Sequence, residues 1–182
     1  MKPFISMLRG INVSGQKSIR MADLRTLYEE LGLLNVDSYL QSGNVVFDST
    51  GQDAVTLVNL IEDRFEQTFG YSVSVLIRDV PDLQRILTSN PFLNERKEDI
   101  AKLYVTFLDR PIPEAKLSSL VMPGDEKDEF IIGEQEIFIF CPAGYGRTKL
   151  SNSYFEKKLN RIATTRNWKT VTALYSMAVE RS

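Results

Sequence analysis

Lys2-Pro-Phe-Ile-Ser-Met-Leu8 and Lys102-Leu-Tyr-Val-Thr-Phe-Leu108 are the stretches on which the fold turns. They share Lys at the first place and Leu at the last, and between these Phe/Tyr, Ile/Val, Ser/Thr and Met/Phe match in kind. Each is a short run, apolar on both faces, which is the pattern of a central strand. Two such strands in two halves of one chain imply that the chain passes twice through one plan.

The segments around the first heptad give that plan. Met21, Leu24, Leu27, Tyr28 and Leu31 recur at helical spacing, and Gly32 supplies a stop. Val36–Gln41 and Asn44–Asp48 flank Ser42-Gly43 as a hairpin. Val55, Val58, Ile61, Phe65 and Phe69 mark one face of a second helix ending at Gly70, and Tyr71, Val73, Val75 and Ile77 mark a fourth strand. The order βαββαβ is ferredoxin-like. Beyond a helix from Pro81 to about Asn90, the second heptad opens another pass. A weak helix near Pro113–Val121 follows, then strands at Phe130–Ile132 and Glu136–Phe140, and two helices close the chain. The expectation is an α+β protein of two divergent ferredoxin-like units, residues 1–79 and 80–182, the second carrying the two C-terminal helices.

A chain of 182 residues is long enough to bury roughly 70% of its unfolded surface. No apolar run reaches the roughly 18–20 residues of a membrane helix, and the N-terminus lacks a signal-peptide layout. With Cys141 the only cysteine, no intrachain disulfide forms, which fits a cytoplasmic location and no membrane partner. The chain contains no histidine. That excludes Ser-His-Asp and Cys-His catalysis, and zinc sites built on imidazole. No metal site and no specific cofactor are inferred, and no reaction is named. Any proton transfer falls to Glu, Asp, Lys, Tyr or Cys141.

The net charge of -2 conceals an asymmetry. Residues 1–25 hold five basic residues against one acidic, residues 26–143 nine against 21, and residues 144–182 eight against two. The basic ends either attract an anion or pair with the acidic middle. Asp125–Glu129, within that middle, reads as a solvated acidic loop.

Three segments carry candidate binding residues. Arg9-Gly-Ile-Asn-Val-Ser-Gly-Gln-Lys-Ser18 approaches a phosphate-binding loop, but Gln16 is inserted ahead of Lys17 and Ser18 and misplaces both. It reads either as a glycine-bearing anion loop with Arg9, Asn12 and Lys17, or as a plain crossover. Gly144-Tyr-Gly-Arg-Thr-Lys149 sets Arg147 and Lys149 ahead of a helix, for which Ser153 and Glu156 form a capping box. Thr165-Arg166-Asn167 repeats the design, with Asn167 as a cap. Gln41-Ser-Gly-Asn44 reads as a turn. Trp168, Tyr154 and Phe155 stand among basic residues as stacking groups would, yet Trp168, Val171, Tyr175 and Ala178 share one helical face and favour a core role.

Leu8-Arg-Gly-Ile-Asn-Val13, Gln41-Ser-Gly-Asn-Val-Val-Phe47, Asn90-Pro-Phe92, Gly146-Arg-Thr-Lys-Leu150 and Ala163-Thr-Thr-Arg-Asn-Trp-Lys-Thr-Val171 together resemble the bacterial family called domain of unknown function 1697. The resemblance implies a stand-alone bacterial cytoplasmic protein and brings no activity, cofactor or catalytic residue. The leading expectation is a protein that binds, or acts modestly on, a small anionic ligand at a face built from Arg9, Asn12, Lys17, Arg147, Lys149, Thr165, Arg166 and Asn167. A protein–protein or regulatory module is the alternative. A weak binder of RNA or single-stranded DNA is the third reading.

Overall fold

The structure is a computed structural model that describes residues 1–13, 15, 18–123 and 127–181. The chain divides into two units, residues 1–84 with 173–182, and residues 85–172.

The first unit runs β1 (Lys2–Leu8), α1 (Met21–Glu30), β2 (Leu34–Tyr39), β3 (Asn44–Ser49), α2 (Ala54–Phe69) and β4 (Val75–Asp79). Its sheet has the order β2-β3-β1-β4, with every pair antiparallel. This is the ferredoxin-like arrangement, and it places β1 at the centre. Strand alternation puts Phe4, Ser6 and Leu8 on one face of β1 and Ile5 and Met7 on the other, and all five are buried. Against the first face, together with Val45 and Phe47, pack Leu24, Leu27 and Tyr28 of α1 and Leu57, Ile61 and Phe65 of α2. The Ser6 hydroxyl, sealed inside, meets the Tyr28 hydroxyl at 2.8 Å, so neither polar atom is stranded.

Helix α2 begins where the Asp53 side chain accepts from the Thr56 N–H, and it stops at Gly70 in a left-handed conformation. Its Val55, placed on the apolar face by periodicity, is 71% exposed; Leu57 takes its place in the core. β2 starts two residues earlier than its sequence pattern implies, because Asn35 adopts φ 50° and the register slips between Leu34 and Asp37. β4 starts later than expected. Tyr71 and Val73 lie ahead of it and pack on the core from a loop.

After α3 (Val80–Thr88) and α4 (Pro91–Asn94), the second unit repeats the sequence of elements: β5 (Leu103–Leu108), α5 (Glu114–Leu117), β6 (Glu129–Ile132), β7 (Glu136–Phe140), α6 (Asn152–Leu159) and β8 (Ala163–Asn167), followed by α7 (Trp168–Val179). The sheet order β6-β7-β5-β8 matches the first. Registers match as well. Phe4 pairs with Phe47 and Asp79, and Tyr104 with Ile139 and Asn167. The N–H groups of Leu8 and Arg9 donate to the carbonyls of Gly43 and Ser74, and those of Leu108 and Asp109 to Gln135 and Ile162. The two heptads therefore occupy equivalent central positions, and the repeat reaches the helix that follows each last strand without a connecting loop.

β8 is the element that sequence reading missed. Ala163-Thr-Thr-Arg-Asn167 was expected to lead into a helix, yet it pairs along the open edge of β5. A five-residue polar strand carries no apolar alternation, so only the unpaired edge of β5 reveals it.

Candidate functional site

The candidate residues divide between the units: Arg9 and Asn12 in the first, Arg147, Lys149, Thr165, Arg166 and Asn167 in the second. Lys17 lies outside the described residues.

In the first unit, the loop after β1 is closed by its own asparagine. Asn12 sits at φ 54°; its Oδ1 accepts from the Ile19 N–H at 2.6 Å, and its Nδ2 donates to the carbonyls of Ile19 at 3.0 Å and Gln41 at 2.7 Å. Both ends of the amide are spent on joining this loop to the Gln41–Asn44 turn. The antiparallel neighbours of β1 also rule out a phosphate-binding loop of the parallel-sheet kind.

In the second unit, two candidate segments meet at one end of the sheet. Tyr145–Arg147 form a single 3-10 turn between β7 and α6, and the Tyr145 ring packs on Tyr104 of β5 at 5.1 Å between centroids. Thr165 Oγ1 meets Thr106 Oγ1 at 2.8 Å and donates to Oδ1 of Asn152, at the start of α6, at 2.7 Å. Ser151 caps α6 by accepting from the Tyr154 N–H, so the expected Ser153–Glu156 box is not formed, and Ser153 lies exposed within the helix.

Arg166 is held inside. Its Nη1 donates to Thr164 Oγ1 at 2.8 Å and to the Thr165 carbonyl at 3.0 Å. Burial pulls its pKa down to about 10, against an opposing contribution from Tyr145. Arg78 is its counterpart in the first unit, equally buried, with Nη1 donating to the Ile77 carbonyl at 2.9 Å. Each arginine precedes a capping residue. Asn167 Oδ1 accepts from the Thr170 N–H at 2.8 Å, as the sequence led one to expect, and Asp79 Oδ1 from the Asp82 N–H at 3.0 Å. Arg78 escaped sequence reading, although the signal was present: Arg followed by Asp or Asn directly ahead of a helix occurs in both halves.

The equivalent sheet ends differ in charge. In the first unit Asp53 and Asp79 are helix caps and the Asp82 carboxylate accepts from the Asp79 N–H; in the second the caps are Ser151 and Asn167, with Thr170 three residues past the cap as Asp82 is. The first end therefore holds three aspartates and the second none of these. A cavity of about 380 Å³ at the first unit's end is lined by Lys2 and Arg78 along with those three aspartates. Burial alone raises the Asp79 carboxyl, but Lys2 Nζ at 2.8 Å and the Asp82 N–H hold it below its usual range; burial, reinforced by Asp79, raises Asp82. A larger cavity, about 670 Å³ along β2, is lined in part by Asp37 and Arg181, which already pair with each other.

The second unit has a cavity of about 270 Å³ lined by Lys127, Asp128, Pro142, Ala143, Gly144 and Arg147. Gly144 has φ 91° and ψ 156°, a conformation open to glycine and closed to residues with a Cβ. Lys127 and Arg147 are exposed. Asp128, expected within a solvated acidic run, is only 6% exposed. Among the described residues these three form no hydrogen bond or ion pair with one another or with any other group. Lys149 is exposed two residues beyond Arg147. Trp168 is 5% exposed and belongs to the interior, and the Tyr154 hydroxyl donates to the Val121 carbonyl; neither offers a stacking platform. No cluster of three or more acidic or thiol side chains is arranged for a metal among the described residues, and no helix there is long and apolar enough to cross a membrane.

Comparison with curated proteins gives no match. A solved structure, that of a conserved bacterial protein from Streptococcus pneumoniae, aligns with a TM-score of 0.73 at 26% identity, covering 97% of this chain and 98% of the other. The sequence profile described as "Protein of unknown function (DUF1697)" matches residues 1–138. With the greater part of its length matched in this way, the chain belongs to the DUF1697 family.

Proposed function

We propose that this protein binds a small anionic, phosphate-bearing ligand in the cavity of its second unit. Arg147 and Lys127 are the direct ligands in this reading, and Lys149 adds charge from the same loop. The observation that carries it is the pair of exposed cations lining one cavity with no partner among the described residues. By contrast, Lys2 in the first unit's cavity is already neutralised by Asp79. The caps at the second unit's sheet end are neutral, and among the described residues Asp128 is the one acidic side chain lining this cavity. An arginine fork with a second cation suits a phosphate, whose oxygens accept several charge-assisted hydrogen bonds.

A thermal-shift and calorimetric screen of phosphate monoesters tests the proposal. Arg147→Ala should cost about 1.5–3 kcal/mol of binding, the range for hydrogen bonds to charged groups, while the melting temperature of the free protein holds steady. A screen in which no phosphate compound binds removes the reading. So does binding that is indifferent to Arg147→Ala.

A further inference from the structure

In the first unit, Arg181 lines the cavity of about 670 Å³ along β2 and stands two residues beyond α7. Its Nη1 donates to the Asn35 carbonyl and, at 3.1 Å, to the Val46 carbonyl, and its Nη2 donates to the Asp37 carboxylate. Three oxygens thus surround one guanidinium, on a side chain that is 12% exposed. The β2 bulge builds this setting. Between the pairs Leu34–Asp48 and Asp37–Val46, two residues of β2, Asn35 and Val36, stand opposite Phe47 alone. Asn35 takes φ 50° there, and its Nδ2 donates at 2.6 Å to the buried Asp48 carboxylate. That bond fixes the residue whose carbonyl Arg181 meets. Two carbonyls and a carboxylate around one plane suit the rigid fork of a guanidinium better than a point charge. The contact also differs from an ordinary surface ion pair. The Asp37 side chain is 65% exposed, so its carboxylate stays open to solvent beside an enclosed cation. Glu29 lines the same cavity, which sets two carboxylates against one arginine. The volume falls within the roughly 300–1,000 Å³ of small-ligand sites.

We propose that the β2 bulge is a guanidinium-binding site which Arg181 holds closed, and that an arginine-bearing ligand enters by displacing it. The site belongs to the first unit and shares no residue with the anion cavity of the second, so either reading can fail alone. Displacement exchanges one guanidinium for another at the same three oxygens. A tethered group competes at an effective concentration of about millimolar, so Arg181 excludes weak ligands. It yields to a ligand that adds contacts of its own. β2 is an edge strand, and Leu34, exposed beside the cavity, is an apolar surface for such contacts. The ligand chemistry is that of a free arginine-like molecule or of an arginine side chain in an extended segment.

Isothermal titration of the full chain and of Arg181→Ala with N-acetylarginine amide tests the proposal. N-acetyllysine amide serves as a cation of similar length without the fork. Arg181→Ala should bind the arginine probe about tenfold more tightly than the wild type does, because the competing side chain is gone. Its affinity for the lysine probe should stay well below that for the arginine probe. Adding Asp37→Asn to Arg181→Ala should remove most of the gain. A blocked pentapeptide with arginine at its centre separates the two sources. Tighter binding than the amide assigns the site to an extended segment along β2, equal binding assigns it to a free guanidinium compound, and both uphold the site. Equal affinity of the wild type and Arg181→Ala for the arginine probe overturns the closure by Arg181. Equal affinity of Arg181→Ala for the two amides overturns the guanidinium class. A gain that survives Asp37→Asn, or no binding to Arg181→Ala up to millimolar probe, overturns the site. Should Arg181→Ala fail to fold, refolding in millimolar arginine probe but not lysine probe upholds the site, and failure in both overturns it.

Discussion

At the scale of single residues, Arg166 and Arg147 are cations with opposite roles. Arg166 is enclosed and bound to Thr164 and the Thr165 carbonyl, so Arg166→Ala removes a donor from one buried and one half-buried acceptor. The expected outcome is a loss of about 1–3 kcal/mol of folding stability in urea denaturation. Loss of anion affinity with unchanged stability would instead return Arg166 to the binding site proper. Gly43 offers a second test. At φ 78°, an added Cβ would come within 2.8 Å of the Ile11 side chain and 2.9 Å of Leu8. Gly43→Ala therefore combines backbone strain with overpacking, and its thermal unfolding should reveal a cost of roughly 1–3 kcal/mol. The serine, glycine and asparagine of this turn serve geometry: the glycine admits the close approach of Ile11, and Asn44 Nδ2 reaches back to the Tyr39 carbonyl.

At the scale of elements, the β6–β7 hairpin shows how a buried acid stabilises a turn. Glu136 takes a bidentate pair from Arg85 at 2.6 and 3.0 Å and accepts the N–H groups of Glu134 and Gln135. Burial by itself raises the carboxyl, but Arg85 and the two N–H donors outweigh it and hold Glu136 below its ordinary 4.5. A depressed folded-state value contributes stability that is present above the unfolded-state value and is lost as pH falls through the folded one. Wild-type stability should therefore decline below about pH 4.5, with Glu136 among the groups responsible. Glu136→Gln should cost about 2–3 kcal/mol at neutral pH, the low side for a broken buried pair because Arg85 is partly exposed and keeps Glu134 at 3.7 Å. Its pH profile should also be flatter in that acidic window. An unchanged profile would show that the hairpin does not depend on the charge. Elements with a strong apolar period, such as α1 and β7, were legible in the sequence. Those set by a bulge or by an open neighbouring edge, β2 and β8, were displaced or missed.

At the scale of the whole molecule, two copies of one plan carry unlike charges at equivalent sheet ends. Aspartates cap the first and neutral residues the second, although the registers of Phe4 and Tyr104 coincide. Nucleic-acid affinity should accordingly be weak and salt-labile: the middle of the chain carries 21 acidic residues against nine basic, which opposes a long polyanion more than a single phosphate. Fluorescence anisotropy with an RNA oligomer checks this, and sequence-selective binding that persists at high salt would contradict it.

The sequence by itself determined the duplicated α+β plan, because the paired heptads and the helical periods around them are statements about which side chains must leave water. It also excluded imidazole chemistry and brought the Gly144–Lys149 and Thr165–Asn167 segments to notice. Tertiary structure alone decided what those residues do. Burial turned Arg166 inward and withdrew Asp128 from solvent, and hydrogen bonding spent Asn12 on closing its loop. The open edge of β5 made a strand of Ala163–Asn167. Each of these outcomes depends on a partner distant along the chain, and composition and spacing carry no record of which group will stand opposite which.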